Sequence, residues 1–261
     1  MIESVFLFAN QGHGTTAAEA ALRSGTKVVG VCSKAPERLT LRNRLGRLRD
    51  LPFRDPFANF KHPSKLGPRY FPSRDLEAVR AFLEGNRPDL ILTCSFHARV
   101  PDSILRLARY AAVNIHPGLL PERGGGTPNR WAIRSGDTHT GVTAHLMTAE
   151  WDTGVHVYRR ELPIKSGATW GQVEHSLVPL IRETVRYLIE TPNGVTPDGG
   201  HVGIVLEHGL TPVRPRLQHS YRGEPYAGQT PEECRRVCRA LLPKACGFGI
   251  ERCNGIHCGL L

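Results

Sequence analysis

The stretch from residue 4 to residue 32 restricts the fold more than any other part of the chain. It opens with the apolar run Val5-Phe6-Leu7-Phe8, breaks at Asn10-Gln11-Gly12-His13-Gly14, and resumes as Lys27-Val28-Val29-Gly30-Val31-Cys32. Between the two runs lies an alanine-rich segment, 17–24, that Thr15 or Thr16 can cap and Gly25 can stop. Two short apolar runs joined by a helix make a βαβ unit, which implies a parallel sheet covered by helices. The glycine loop at the helix start is placed to face a phosphate. It lacks the full Gly-x-Gly-x-x-Gly pattern, so it is weak evidence for a nucleotide.

The alternation continues downstream. A helix is predicted over 75–84, with Leu76, Val79, Ala81, Phe82 and Leu83 on its apolar side, followed by a turn at Asn86-Arg87-Pro88 and a buried strand over 89–94. Pro101 begins a helix whose Ile104, Leu105 and Ala108 face the core, and residues 111–115 form a fourth strand. Residues 35–73 are rich in Arg, Pro and Phe without a period and read as an irregular excursion. A strand over 155–162 and one helix over about 169–190 complete the domain. The predicted fold is α/β, a Rossmann-like open sheet, mainly parallel and twisted, flanked by helices. It occupies residues 1–190, with a small C-terminal extension over 191–261. In that extension the sequence predicts a strand over 202–206 and a helix capped by Thr230 with Glu233 three residues on.

Composition narrows the function classes. No run approaches the roughly 18 apolar residues of a membrane helix, and Met1-Ile2-Glu3-Ser4 lacks the basic start and apolar core of a signal peptide, so a cytoplasmic location is expected. The formal charge of +10 invites a polyanion partner, but the basic residues are spread along the chain and are overwhelmingly Arg, so the charge alone does not define a nucleic-acid surface. Cys32 and Cys94 lie in apolar runs and read as buried thiols, while Cys234, Cys238, Cys246, Cys253 and Cys258 crowd the tail. An odd count without a signal peptide argues against a disulfide framework. Cys246, Cys253, His257 and Cys258 are conceivable zinc ligands, but no Cys-x-x-Cys pair is present, and an ordinary reduced tail is favoured over a metal site.

The chemistry is concentrated after the fourth strand, where the chain reads Val113-Asn114-Ile115-His116-Pro117-Gly118-Leu119-Leu120-Pro121. Asn114 and His116 are two apart on a strand, so their side chains share a face, and the carboxyl ends of parallel strands line the ligand crevice. An amide beside an imidazole suits an acyl-transfer site, where negative charge develops on an oxygen. From spacing alone the plainer account stands first: a turn-capping asparagine and a satisfied surface histidine. His97 and His145 are equally open to structural and functional readings.

Further on come Arg123-Gly124, Thr140-Gly141-Val142-Thr143 and Asp152-Thr153-Gly154. Together with Asn114-Ile115-His116-Pro117 and Leu119-Leu120-Pro121, they make the chain resemble the folate-dependent formyltransferases, in order and spacing over residues 86–165 and more loosely from residue 2. The resemblance implies that Asn114, His116 and Asp152 form the catalytic trio and that 10-formyltetrahydrofolate is the donor. It implies a pterin slot read mostly by backbone groups at Ala98, Val100 and the Thr148–Asp152 loop, with Thr148 and Glu150 among them; no metal is needed, and no credible ligand set is present. In such a site Asn114 and a protonated His116 would stabilise the oxyanion, and Asp152 would orient His116, favour its charged form and relay the amine proton. Asp152 is expected in an exposed tight loop, ionised in the active form and so setting an acidic limb of the pH profile. Gly118 departs from the family's serine, a loss expected to tune activity rather than abolish it.

The extension bears on the acceptor. About seventy residues rich in Gly and Pro are few for the β-barrel domain that the methionyl-tRNA branch of the family adds. The wording around Trp131-Ala132-Ile133 and Gly136-Asp137-Thr138 is nevertheless closest to the tRNA and amino-sugar branches. The expected partners are a folate donor and a small amine, such as an amino sugar or an amino-acid derivative, with methionyl-tRNA as the runner-up and no membrane. Hydrolysis of the formyl donor and a non-catalytic folate-binding module are the alternatives from other classes.

Overall fold

The computed structural model describes residues 2–36, 57 and 60–190. The strand, helix and five cysteines read in 191–261 lie outside the described residues. In chain order the elements are β1 (Ser4–Ala9), α1 (His13–Arg23), β2 (Lys27–Ser33), β3 (Tyr70–Pro72), α2 (Leu76–Gly85), β4 (Leu90–Cys94), α3 (Asp102–Leu105), β5 (Ala111–His116), α4 (Pro128–Ser135), β6 (His139–Leu146), β7 (His156–Pro163), α5 (Trp170–Ser176) and α6 (Val178–Glu190). The strands form one sheet in the order β3-β2-β1-β4-β5-β6-β7. Its first five members pair in parallel, and β6 and β7 join antiparallel. The order reverses at β1, which sets a ligand crevice beyond the carboxyl ends of the central strands.

Alternation along the strands fills two apolar layers. Val5, Leu7 and Ala9 of β1, with Val113 and Ile115 of β5, pack with Ala17, Ala18 and Ala21 of α1 and Ile181, Val185 and Leu188 of α6. Phe6 and Phe8 point the other way, onto Val79 and Leu83 of α2 and Ile104 and Leu105 of α3. One layer covers each face of the sheet, which is why the strands read as unbroken apolar runs. Cys32 and Cys94 are buried free thiols, and burial pushes both up to about 12, so neither is a ready nucleophile.

Several expectations are corrected. Helix α1 begins at His13, four residues before the predicted start, because Gly12 turns the chain at φ 96° without a hydroxyl cap. Thr16 instead donates to the Gly12 carbonyl at 3.3 Å, and Thr15 to that of Lys61 at 2.7 Å. The ring of Phe57 packs over Gly12, where an added Cβ would lie 2.5 Å from it, so that side of the helix start is occupied by an aromatic ring. The excursion over 35–73 contains a 3-10 turn (Pro63–Lys65) and the edge strand β3, which at three residues is too short to leave a period in sequence. The helix predicted from Pro101 is only one turn. The single helix predicted over 169–190 is two: Thr169 caps α5 in a capping box with Gln172. Pro179 has no N–H to continue the ladder into α6.

Candidate active site

Strand register places the site. Asn114 of β5 lies opposite His145 of β6, and His116 opposite Thr143. These four side chains therefore share the sheet face away from Val113, Ile115, Val142 and Ala144, which are in the α1/α6 layer. Asp152 arrives from the loop between β6 and β7, so the trio read from sequence is brought together. The carboxylate Oδ1 lies 3.7 Å from His116 Nδ1, 3.5 Å from His145 Nε2 and 3.4 Å from Asn114 Nδ2. Its Oδ2 accepts the Gly125 N–H at 2.7 Å.

The expected exposed carboxylate is not observed: Asp152 is 6% exposed. Its backbone is left-handed, at φ 55°, a conformation Asp tolerates better than most residues. The following Gly154 closes the loop against β6, where an added Cβ would lie 1.6 Å from the Leu146 carbonyl. Burial pushes the carboxyl pKa up, but His145, His116 and the Gly125 N–H outweigh it and hold the value at about 2. Asp152 is thus ionised throughout the physiological range.

The state of His116 also differs from expectation. Its Nε2 sits 2.7 Å from the Arg123 carbonyl, which can only accept, so Nε2 carries a hydrogen and Nδ1 carries the lone pair when the ring is neutral. The ring is 5% exposed, and burial pushes its pKa below the ordinary histidine value despite Asp152 and the Arg123 carbonyl. The resting ring is a neutral base at Nδ1, not the imidazolium the sequence suggested. His145, open to either reading in sequence, is a fourth member of the cluster. Its Nδ1 lies 2.9 Å from the Leu146 carbonyl and its Nε2 3.0 Å from Asn114 Nδ2, beside the Asp152 carboxylate. No sequence pattern singles it out; the cross-strand register does. The exposed His97 lies outside this cluster and receives a contact from Asn10 Nδ2 at 3.0 Å.

Asn114, His145 and Asp152 form the inner end of a cleft whose walls include Phe96, Ala98, Val100, Met147 and Trp151, with Arg99, Thr148 and Glu150 at its polar margin. All four residues predicted for the pterin slot therefore line one cleft. The Thr148 hydroxyl is engaged within its own loop, with Thr153 Oγ1 at 2.8 Å and the Glu150 carbonyl at 3.0 Å. Among the described residues no group of His, Cys, Asp and Glu could hold a metal ion, and no helix is long and apolar enough to cross a membrane.

Gly118 has a steric explanation. A Cβ there would lie 2.6 Å from Pro128 Cβ and 3.0 Å from His116 Nε2. Gly118→Ser should therefore displace α4 or the His116 ring. A thermal midpoint lower by roughly 5 °C is expected, and an unchanged melt would contradict the packing described.

A family model described as formyl transferase matches residues 4–183. The chain belongs to the formyl transferase family. Over 103 residues, 40% of this chain and 32% of the relative, it is 42% identical to methionyl-tRNA formyltransferase of Lactobacillus delbrueckii subsp. bulgaricus. The match thus spans about a third of that curated relative. Among solved structures, a sugar N-formyltransferase from Shewanella sp. superposes with a TM-score of 0.58 at 14% identity, over 92% of this chain and 88% of that one. A sugar 3N-formyl transferase solved with dTDP and 5-N-formyl-THF superposes with a TM-score of 0.61 at 12% identity, over 92% and 80%. At such identities these likenesses are likenesses of fold, and they agree with the α/β architecture of this formyl transferase family member.

Proposed function

We propose that the protein transfers a formyl group from 10-formyltetrahydrofolate to the amine of a small acceptor, an amino sugar or an amino-acid derivative. The observation that carries this reading is the meeting of Asn114 and Asp152 at the inner end of a cleft with apolar walls, with His116 set behind them against the Asp152 carboxylate. Walls of Phe96, Val100, Met147 and Trp151 fit a flat aromatic heterocycle, and the polar inner end fits its reactive group. The acceptor nitrogen bonds to the formyl carbon, the bond from that carbon to the donor nitrogen breaks, and one proton passes from the acceptor nitrogen to the donor nitrogen. Asn114 stabilises the developing oxyanion; its 3.4 Å contact with Asp152 is long, so this N–H is the one readily redirected. His116 takes the amine proton at Nδ1 and returns it to the leaving nitrogen. Asp152 offsets the positive charge that His116 carries between those transfers.

The near full-length likeness to sugar N-formyltransferases supports the amino-sugar acceptor. The identity to methionyl-tRNA formyltransferases supports a second reading, transfer to methionyl-tRNA. Incubation with 10-formyltetrahydrofolate and either a nucleotide-linked amino sugar or methionyl-tRNA, with tetrahydrofolate release as readout, separates the two. Release without any amine would instead indicate hydrolysis. Donor binding is checked separately by isothermal titration with 5-formyltetrahydrofolate: heat saturating at one equivalent is expected, and no heat at high micromolar concentrations would remove the donor assignment.

A further inference from the structure

A second polar network lies behind the reacting groups, and no step above uses it. Asn129, on the first turn of α4, is wholly buried. Its Nδ2 donates to the Pro117 carbonyl at 2.9 Å and to Glu174 Oε1 at 3.1 Å, and its Oδ1 accepts the Thr140 hydroxyl at 2.5 Å. Glu174, 5% exposed on α5, also accepts the Trp170 indole N–H at 2.5 Å, and its Oε2 lies 3.4 Å from His13 Nε2. That imidazole nitrogen donates to the Glu174 backbone carbonyl at 2.8 Å. A buried carboxylate is costly, and well-packed apolar groups of similar volume usually stabilise a fold at least as well. The network therefore does something that apolar packing would not, and its directional bonds identify it.

The bonds end on the root of the loop over 117–125. This loop presents the Arg123 carbonyl to His116 and the Gly125 N–H to Asp152. Thr143 grips the same root from the sheet, donating to the Gly118 carbonyl at 2.9 Å and accepting the Leu120 N–H at 3.0 Å. We propose that Asn129, locked in place by Glu174, is a positioning residue that fixes Pro117 and so aims His116 and Asp152 through the 117–125 loop. The proposal rests on the formyl-transfer reading only for its kinetic consequence. An amide is required at this position because only an amide gives two donors and one acceptor in the directions of Pro117, Glu174 and Thr140.

The test uses Asn129→Ala, Thr140→Val and Glu174→Gln in the full chain, with tetrahydrofolate release, folate titration, thermal melts and the ¹⁵N shifts of the His116 imidazole as readouts. Asn129→Ala is expected to lower kcat by about 10- to 100-fold, to leave folate affinity within about threefold, and to shift the ring from the Nε2–H tautomer toward a mixture. Glu174→Gln keeps an oxygen for Asn129 and Trp170, so it should hold kcat within about threefold. Thr140→Val keeps the shape and, should Asn129→Ala fail to fold, must show the same tautomer shift to a smaller extent. An unchanged tautomer in folded Asn129→Ala or in Thr140→Val, even with a lower melt, overturns the proposal. A Glu174→Gln variant as impaired as Asn129→Ala overturns the hydrogen-bond account. If the wild-type protein releases no tetrahydrofolate with any amine, the formyl-transfer reading fails, and the tautomer still decides the positioning.

Discussion

Alanine in place of His116 is expected to slow tetrahydrofolate release about 10²-fold or more, with folate affinity within about threefold of wild type. The asymmetry follows from position. His116 is set behind Asn114 and does not line the cleft formed by Phe96, Val100, Met147 and Trp151, so it contributes to the reacting state rather than to donor binding. Because the neutral ring has its lone pair on Nδ1, the wild-type rate should fall on the acidic side with a midpoint below the ordinary histidine value, burial having lowered it. Turnover against pH, combined with isothermal titration of 5-formyltetrahydrofolate, checks both statements. A His116→Ala variant with near-normal kcat would leave the residue a structural role only, and a fully active imidazolium would reverse the assignment of base.

Asp152→Asn should have a comparable effect on rate and a distinct signature. The carboxylate holds the His116 pKa up against burial, so its loss should move the acidic limb of the rate profile to still lower pH while lowering its plateau. The sequence alone suggested that Asp152 itself sets that limb. With its pKa held at about 2, it is ionised across the range where the limb falls, and the limb belongs to His116. Stability should change as well. The depressed pKa means that the ionised carboxylate stabilises the fold by about 2–3 kcal/mol above the unfolded value near pH 4, and that this is lost as the pH falls through about 2. Melts between pH 2 and pH 7 should show that loss in the wild type and not in Asp152→Asn. A variant with the wild-type rate profile would remove Asp152 from the mechanism; wild-type melts that are flat over this interval would contradict its buried ion-pair environment.

Much of the fold was legible because parallel strands buried on both faces must be apolar throughout. Val5 to Phe8, Val28 to Cys32 and Leu90 to Cys94 carry that pattern in their composition, and each is a central strand. The start of α1 was misplaced because threonines at 15 and 16 resemble caps, while the actual turn depends on the backbone of Gly12, which leaves no side-chain mark. Strand β3 was missed because three residues give no period, and its pairing with β2 is a contact between segments that sequence does not register.

The site divides in the same way. Asn114 and His116 could be paired from sequence, since a period of two fixes them on one face of a strand, and the resemblance supplied Asp152. What the charge states would be could not be read, because protonation depends on burial and on partners far apart in the chain. His116 is neutral because a carbonyl seven residues on takes its Nε2–H and the ring is dry; Asp152 is ionised because Gly125 and two histidines surround it. The sequence by itself determined the class of sheet and which residue types stand at its carboxyl edge. Only the tertiary structure decided that His145 joins them, that Gly118 leaves no room for a serine, and that Asn129 and Glu174 lie behind them, because antiparallel register and helix docking bring together groups separated by 10 to 45 positions in the chain.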